Sequence, residues 1–267
     1  MIKSYGWLLK KHDYLLQYMF VHYRTKGFFL KKIARGENDQ LFTIFTRDFG
    51  RLEILGRSIR KIKSKLRSGA DLFYFSEIEF IQGKSYKTLT DAIVMERFDS
   101  TKKSLRKMAI ANKTARLCCK LLKHNEPDDS IWQLVKETFY RINDNKENFS
   151  ILLAYYFFCW NLISLLGYGP ELQTCFCCYK KIKPERLYFS PSNGGIMCSS
   201  CYENNSSKVM SLKKDCRYIR SDIIKILRMV LLGDWQTVSK LNLVPAHQKH
   251  LKEASEYFVS SIPAYSD

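Results

Sequence analysis

The chain has 267 residues, of which 46% are hydrophobic and 14% aromatic, and this composition excludes an intrinsically disordered protein. Its 44 Lys and Arg against 26 Asp and Glu give a net charge of +18, which indicates a polyanionic partner, nucleic acid first and an acidic membrane second. The nine cysteines include the adjacent residues Cys118 and Cys119. Two neighbouring thiols are difficult to pair within a framework of disulfides. We therefore expect a protein of a reducing cytoplasm.

Neither the N-terminus nor the most apolar run predicts a membrane protein. Charged residues at positions 10–13 interrupt any signal-peptide core. The apolar run over residues 151–166 is shorter than the ~20 residues that span a bilayer, and Asn161 interrupts it. Residues 1–22 are an N-terminal extension that is open to two interpretations, an extra amphipathic helix or an over-extended start upstream of Met19.

Residues 23–98 are predicted to form an OB-fold domain. Short segments rich in aromatic and β-branched residues are separated by turn residues, as in consecutive hairpins. The expected strands are Lys26–Ala34, Gln40–Thr46, Arg51–Gly56, Leu72–Gln82 and Tyr86–Arg97. Five strands in about 75 residues leave no room for crossover helices, which favours a small antiparallel barrel.

Residues 99–267 are predicted to form an all-helical domain. Apolar residues recur at helical spacing, and Asp128 to Ser130 resemble a helix start. The expected helices are Ser100–Lys123, one starting near Ser130, the buried Asn148–Leu166, Tyr218–Leu232 and Pro245–Ser261. The predicted fold class is therefore α+β, an N-terminal antiparallel β-barrel of the OB type followed by a helical domain with an inserted four-cysteine zinc ribbon over residues 174–202.

Two Cys-x2-Cys pairs, Cys175 with Cys178 and Cys198 with Cys201, carry the strongest motif. The 19 residues between the pairs match the spacing of a four-thiolate zinc site. Such a site is closed, so one structural Zn2+ is expected to hold the ribbon and to activate no water. Disulfides or a redox dithiol are the alternatives. Cys177 lies inside the first pair, and we interpret it as a bystander.

A basic segment lies between the third and fourth predicted strands. From residue 54 to residue 70 there is no acid, and residues 24–123 hold a net charge of +14 out of the total +18. With one arginine that follows the first strand, the predicted nucleic-acid-binding residues are Arg35, Arg57, Arg60, Lys61, Lys63, Lys65 and Arg67. A charge run is usually a solvated face, but on a loop of an OB barrel it favours strand binding.

Four aromatic residues of the predicted barrel are candidates for stacking on bases. They are Phe42, Phe45, Tyr74 and Tyr86. For each of them, a place in the barrel core is the interpretation that we favour over stacking, since half of the residues of a strand face inward.

The sequence lacks the motifs of several enzyme classes. There is no Gly-x4-Gly-Lys-Ser/Thr loop, no Gly-x-Ser-x-Gly elbow and no zinc-deaminase signature. His247 and His250 are expected to be surface residues of a terminal helix, and Asp128 with Asp129 to cap a helix. We therefore expect a protein that is not an enzyme.

The order of several short motifs resembles the bacterial RecO family of recombination mediators. These motifs are Tyr23–Gly27, Gly36–Asp39, Thr46–Arg51, Lys63–Leu66 and Gly194–Gly195 ahead of the second cysteine pair. Each motif is weak alone, but their order over some 240 residues is specific. One departure is visible, because the family usually has glycine at the position of Ser58.

The resemblance implies a function as well as a fold. It implies binding of single- and double-stranded DNA, annealing without ATP, and loading of RecA onto strands coated by single-strand binding protein (SSB). RecR and the C-terminal tail of SSB are the implied partners, with RecA as an indirect one and no membrane. The alternative is an RNA-binding or transcription-associated zinc-ribbon protein.

Overall fold

The computed structural model describes residues 21–83, 85–144, 148–204 and 207–262. The described chain divides into two units. The barrel unit contains the residues up to 97 together with 123–127, and the helical unit contains 98–122 and the residues from 128 onward. Most of the predicted N-terminal extension, residues 1–20, lies outside the described residues, as does Lys84 of the second predicted hairpin.

Five strands close into the barrel that the sequence predicts. They are β1 (His22–Arg35), β2 (Asp39–Thr46), β3 (Gly50–Gly56), β4 (Phe75–Gln82) and β5 (Lys87–Glu96). The order around the barrel is β1-β2-β3-β5-β4, and β1 also pairs with β4. The pair β3–β5 is parallel and the others are antiparallel, which is the strand arrangement of an OB-fold. The predicted fold of this unit is confirmed.

The length and irregularity of β1 allow it to close the barrel. It has 14 residues, and its register with β2 shifts between Phe29 and Lys31. Such a bulge bends a strand, so the first half of β1 pairs with β4 and the second half with β2. Alternate residues from all five strands, such as Ile44, Ile54 and Phe80, fill the interior.

The helical unit contains nine α-helices within the described residues. They are α1 (Asp99–Lys103), α2 (Leu105–Leu121), α3 (Asp129–Asp144), α4 (Asn148–Ile163), α5 (Ser199–Glu203), α6 (Ser207–Lys213), α7 (Ser221–Leu231), α8 (Trp235–Ser239) and α9 (Pro245–Ser261). The single helix expected over Ser100–Lys123 is two helices, because Ser104 is extended and its hydroxyl caps α2. Asp128 caps α3 through the N–H of Ile131 at 2.8 Å, as expected.

Helix α4 is the centre of the helical core. Trp160 is fully buried, donates a hydrogen bond from Nε1 to Ser255 Oγ of α9 at 2.9 Å, and stacks on Phe258. The stretch Ile151–Tyr168 is the one segment of the described chain that is long and apolar enough to cross a membrane, and 56% of it is buried inside the helical unit. Its apolar side chains therefore contact other helices of the same unit.

Four strands form the ribbon sheet of the helical unit. They are β6 (Glu171–Cys175), β7 (Leu187–Ser190), β8 (Gly195–Cys198) and β9 (Arg217–Ile219), in the order β6-β8-β7-β9. The prediction of helix from Tyr218 was wrong, because β9 pairs with β7 and the helix begins only at Ser221. The pairing partner lies some 30 residues earlier, so local periodicity could not reveal it.

Candidate metal centre and nucleic-acid surface

The four predicted metal ligands come together at one end of the ribbon sheet. Cys175 ends β6, Cys178 follows in the next turn, Cys198 ends β8 and Cys201 lies in α5. Their sulfur atoms all lie within 4.8 Å of one another. The distance between Cys178 Sγ and Cys198 Sγ is 3.9 Å. A tetrahedral Zn2+ with Zn–S bonds of about 2.3 Å requires sulfurs about 3.8 Å apart, so the four thiols fit this ion.

The turn after the first cysteine pair explains how two sulfurs converge. The N–H of Tyr179 donates to the carbonyl of Cys175 at 2.8 Å, and Tyr179 has a left-handed φ of 59°. The N–H of Cys198 points at Cys175 Sγ at 3.4 Å. Cys177 is not a member of the four-sulfur group, in agreement with the interpretation that it is a bystander.

The protein environment shifts the pKa of the cluster's cysteines in opposite directions. Burial disfavours a charged Cys175, but hydrogen bonds from the backbone of Cys178 and Cys198 lower its pKa to about 7. Burial and neighbouring sulfurs raise the pKa of Cys198 and of Cys201. A bound divalent cation would supply the charge that lets all four sulfurs ionise together.

Two further cysteines, Cys118 and Cys159, lie outside the four-sulfur group. Cys118 and Cys159 are fully buried, and burial raises the pKa of both thiols, that of Cys159 to about 12. The predicted surface histidines pair with acids: His247 Nε2 lies 2.9 Å from Asp222 Oδ2, and His250 contacts Glu253. Neither histidine joins a metal-binding group within the described residues.

All seven predicted nucleic-acid-binding side chains are exposed on the barrel unit. Arg35 ends β1, and the other six lie on the β3–β4 connection, hereafter the basic loop (residues 57–67). Exposure leaves their charged groups available to phosphates. Arg35 lies with its guanidinium 4.2 Å from the ring centre of Tyr86.

The basic loop is attached to the barrel at several points. Ile59 is 2% exposed and enters the barrel core. The N–H of Ser58 donates to Asp39 Oδ1 at 2.7 Å, and the N–H of Arg60 donates to the carbonyl of Asn38 at 3.0 Å. At the far end, a Cβ at Gly69 would lie 1.8 Å from the carbonyl oxygen of Ala92, so glycine is required there. The loop is therefore ordered by its own barrel.

Ser58 retains the backbone conformation that glycine would favour. Its φ is 52°, in the left-handed region, where residues other than glycine are strained by roughly 1–2 kcal/mol. Serine at this position, where the family usually has glycine, thus adds local backbone strain, but the turn is still formed. The hydrogen bond to Asp39 helps to hold this turn.

The aromatic residues proposed for stacking divide into two classes. Phe42 and Phe45 are 0% and 1% exposed, so these two are core residues, as their interpretation as core residues predicts, and they do not stack on bases. Tyr74 and Tyr86 are partly exposed. The two classes differ in burial. Strand alternation alone does not tell which aromatic side chains are buried, because that also depends on the register of each strand.

A polar cavity of about 450 Å³ borders the basic loop in the barrel unit. Arg60, Arg67 and Tyr74 line it together with Lys32, whose Nζ lies 2.6 Å from Asp71 Oδ1. The guanidinium of Arg97 lies 5.9 Å from the ring centre of Tyr74. The cavity therefore combines cations for phosphate with an aromatic ring for a base, and the sequence had not indicated Lys32.

The sequence analysis did not predict a second surface, which lies in the helical unit. It is a groove of about 300 Å³ with a cationic rim of Lys113, Arg116 and Lys120 on α2, hereafter the α2–α9 groove. Leu117 and Tyr155 contribute to its apolar floor. The helical spacing of the three cations could have indicated a common face, but the floor is completed by α9, more than 100 residues later.

Family comparisons agree with this architecture. A family model described as "Recombination protein O N terminal" matches residues 19–98, and one described as "Recombination protein O C terminal" matches residues 102–261. The chain belongs to the RecO family. Family membership makes it a mediator of recombination in DNA repair.

Curated relatives support the same assignment across most of the chain. A protein of Desulfitobacterium hafniense (strain Y51) named "DNA repair protein RecO" is 27% identical over 236 residues, covering 88% of this chain and 83% of the relative. A protein of the same name from Dehalococcoides mccartyi (strain ATCC BAA-2266 / KCTC 15142 / 195) is 31% identical over 229 residues, covering 83% and 84%. The similarity thus spans both units of this RecO-family chain.

The first prediction concerns the choice of ligands within the first cysteine pair. Cys178→Ser is expected to abolish binding of one zinc per chain and to lower Tm by roughly 5–15 °C, because the ribbon loses its metal. Cys177→Ser is the matched control and is expected to retain zinc. Zinc content by atomic absorption and Tm by circular dichroism check both variants, and zinc loss in the control alone would contradict the assignment.

Proposed function

We propose that this RecO-family chain binds single- and double-stranded DNA through its barrel and anneals complementary strands without ATP. Together with RecR, it would help RecA load onto strands coated by SSB. The proposal of DNA binding rests on one observation: the ordered basic loop presents six exposed cations beside the cavity at Tyr74. We further propose one structural Zn2+ at the cysteine cluster and a location in the cytoplasm.

Phosphate neutralisation explains how such a surface would act. Cations on the loop replace the counterions of a bound strand, so binding gains free energy from counterion release. A strand with neutralised phosphates repels a complementary strand less, and the two meet more often. This mechanism needs no nucleotide hydrolysis, in keeping with the missing Gly-x4-Gly-Lys-Ser/Thr loop. The proposed role is therefore non-catalytic.

We propose the α2–α9 groove as the binding site for the SSB tail. A C-terminal tail ends in a carboxylate, which a basic rim over an apolar floor can recognise. Lys120 Nζ is already held by the carbonyl of Ile262 at 3.0 Å, whereas Arg116 is exposed. Lys113 is exposed as well, but its Nζ lies 5.9 Å from the ring centre of Tyr155, so we propose Arg116 as the cation of the rim that receives the carboxylate.

The second prediction tests the basic loop. Alanine at Arg60, Lys61, Lys63 and Lys65 together is expected to weaken single-strand binding and to flatten its salt dependence. If all four contact phosphates, the slope of log K against log salt falls by up to about 3. Fluorescence anisotropy with one oligonucleotide, over a salt range of roughly 50 to 300 mM, measures this slope.

A charge-matched control distinguishes direct contacts between the loop and phosphates from an effect of the protein's total charge. Alanine at four exposed lysines of the helical unit, Lys225, Lys240, Lys249 and Lys252, removes the same amount of charge from the other unit. The control is expected to change the slope little, because none of these four lysines belongs to the basic loop or lines its cavity. Equal slopes for the two quadruple variants would remove the basic loop from the proposed mechanism.

The third prediction tests the tail groove. Arg116→Ala is expected to slow the annealing of SSB-coated strands by roughly tenfold, because a charge-assisted contact to the tail is lost. Annealing of naked strands should stay unchanged. Arg106→Ala, on the exposed surface of the same helix, is the control and should leave both rates intact. Stopped-flow measurements without nucleotide supply the rates.

Two outcomes would contradict this part of the proposal. If wild-type protein fails to anneal coated strands although it is folded, the mediator mechanism is wrong. If Arg116→Ala slows naked and coated strands equally, the groove does not act through the tail.

A further inference from the structure

The basic loop contains three large apolar residues, and one of them is fully accessible to solvent. Ile59 is 2% exposed in the barrel core, and Leu66 packs against the same core. Ile62 lies between them in the sequence and is 91% exposed, the largest value among the large apolar side chains of the described residues. Single apolar residues are common on protein surfaces, so the surroundings of Ile62 decide whether its exposure has a function.

Two consecutive turns hold the backbone on either side of Ile62. The N–H of Lys61 donates to the carbonyl of Ser58 at 3.1 Å, and the N–H of Ser64 donates to the carbonyl of Lys61 at 3.0 Å. Ile62 therefore occupies the first central position of a β-turn. Because Ile59 and Leu66 pack on the barrel before and after this turn, the loop has little freedom to fold back and bury Ile62.

The charges around Ile62 are all of one sign in the sequence. Lys61 and Lys63 are its direct neighbours, and both side chains are exposed. Arg60 and Lys65 extend the exposed positive charge on either side, and no acid occurs from residue 54 to residue 70. An apolar side chain in such a field is suited to a partner that combines negative charge with an apolar interior.

Duplex DNA is a partner of this kind. Its phosphates are charged, and its stacked bases offer an apolar interior that minor-groove proteins enter with a single aliphatic or aromatic side chain. An acidic membrane surface fits less well, since membrane binding scales with the buried apolar area. Ile62 is the only large apolar side chain that the basic loop exposes, which is sufficient for one base step but provides little area for a bilayer.

We propose that Ile62 is a wedge that enters between two neighbouring base pairs of bound duplex DNA, while Lys61 and Lys63 bind the phosphates beside that step. This inference rests on the proposed function, because it assigns the basic loop a role in binding double strands. Separation of two base pairs costs stacking free energy, and the cost is smallest at flexible pyrimidine–purine steps. The wedge therefore selects deformable steps such as TA without reading the edges of the bases.

The test measures unstacking and bending of a bound duplex. Two duplexes of equal length and composition differ only in a central TA or AT step, and 2-aminopurine replaces the adenine of that step. The fluorescence of 2-aminopurine rises when its stacking is lost, and energy transfer between dyes at the two ends reports a kink. Full-length wild type, Ile62→Ala, Ile62→Leu and Leu105→Ala are compared at saturating protein.

We expect wild type to raise the 2-aminopurine fluorescence more on the TA duplex than on the AT duplex and to kink the TA duplex by roughly 20–90°. Ile62→Ala should reduce the fluorescence rise by about threefold or more, because a methyl group is too short to separate the base pairs. Ile62→Leu, which keeps an aliphatic side chain of equal size, should retain most of the rise.

A matched control removes an equally exposed apolar side chain elsewhere. Leu105 is 88% exposed at the start of α2 in the helical unit, so Leu105→Ala should behave as wild type. Neither side chain contributes to a core, and the Tm of each variant should therefore equal that of wild type. Tm also establishes that a lost signal does not come from unfolding.

The outcomes separate this inference from the proposed function. If wild type binds no DNA, the proposed function fails and this inference with it. If wild type binds the duplex but leaves its fluorescence and end-to-end distance unchanged, or if Ile62→Ala unstacks the TA step as wild type does, Ile62 is not a wedge and the proposed function stands. Unchanged unstacking by Ile62→Ala with weaker binding to phosphatidylglycerol vesicles would overturn the inference in favour of a membrane.

Discussion

The proposed nucleic-acid surface depends on two constraints, the hydrogen bond from the N–H of Ser58 to Asp39 and the burial of Ile59. Six cations on one loop repel one another, and no acid lies between residues 54 and 70 to offset this repulsion. Attachment to the β1–β2 turn and to the barrel core holds the loop in one conformation. The burial of one isoleucine in the barrel thus helps to order a surface that would otherwise extend into solvent.

The ribbon sheet depends on the two different environments of its faces. On one face, Phe189 contacts Trp160 and Phe258 of the helical core. On the other, Met197 and Cys175 form an apolar cluster around the metal ligands. Strands of three to five residues bury too little surface to be stable alone, so the helical core supports the sheet on one face and the proposed Zn2+ would support it on the other.

Sequence patterns predicted those features that depend on local spacing. The cysteine spacing predicted the four-sulfur cluster, and alternation predicted five barrel strands. Features that depend on distant partners were missed, as at β9, which was predicted as helix. The sequence also could not separate the buried Phe42 and Phe45 from the partly exposed Tyr74 and Tyr86. The α2–α9 groove combines residues that are far apart in sequence, so no local pattern could reveal it.

The central claim is that the ordered conformation of the basic loop, beyond its charge, creates the DNA-binding surface. Asp39→Ala and Asp39→Asn remove the same negative charge, but only asparagine retains an oxygen that can accept the hydrogen bond from Ser58. The most direct measurement is the single-strand Kd of both variants at one salt concentration. The account predicts that Asp39→Ala binds about fivefold more weakly than Asp39→Asn, the equivalent of about 1 kcal/mol. Equal or tighter binding by Asp39→Ala would show that charge alone determines affinity and would contradict the account.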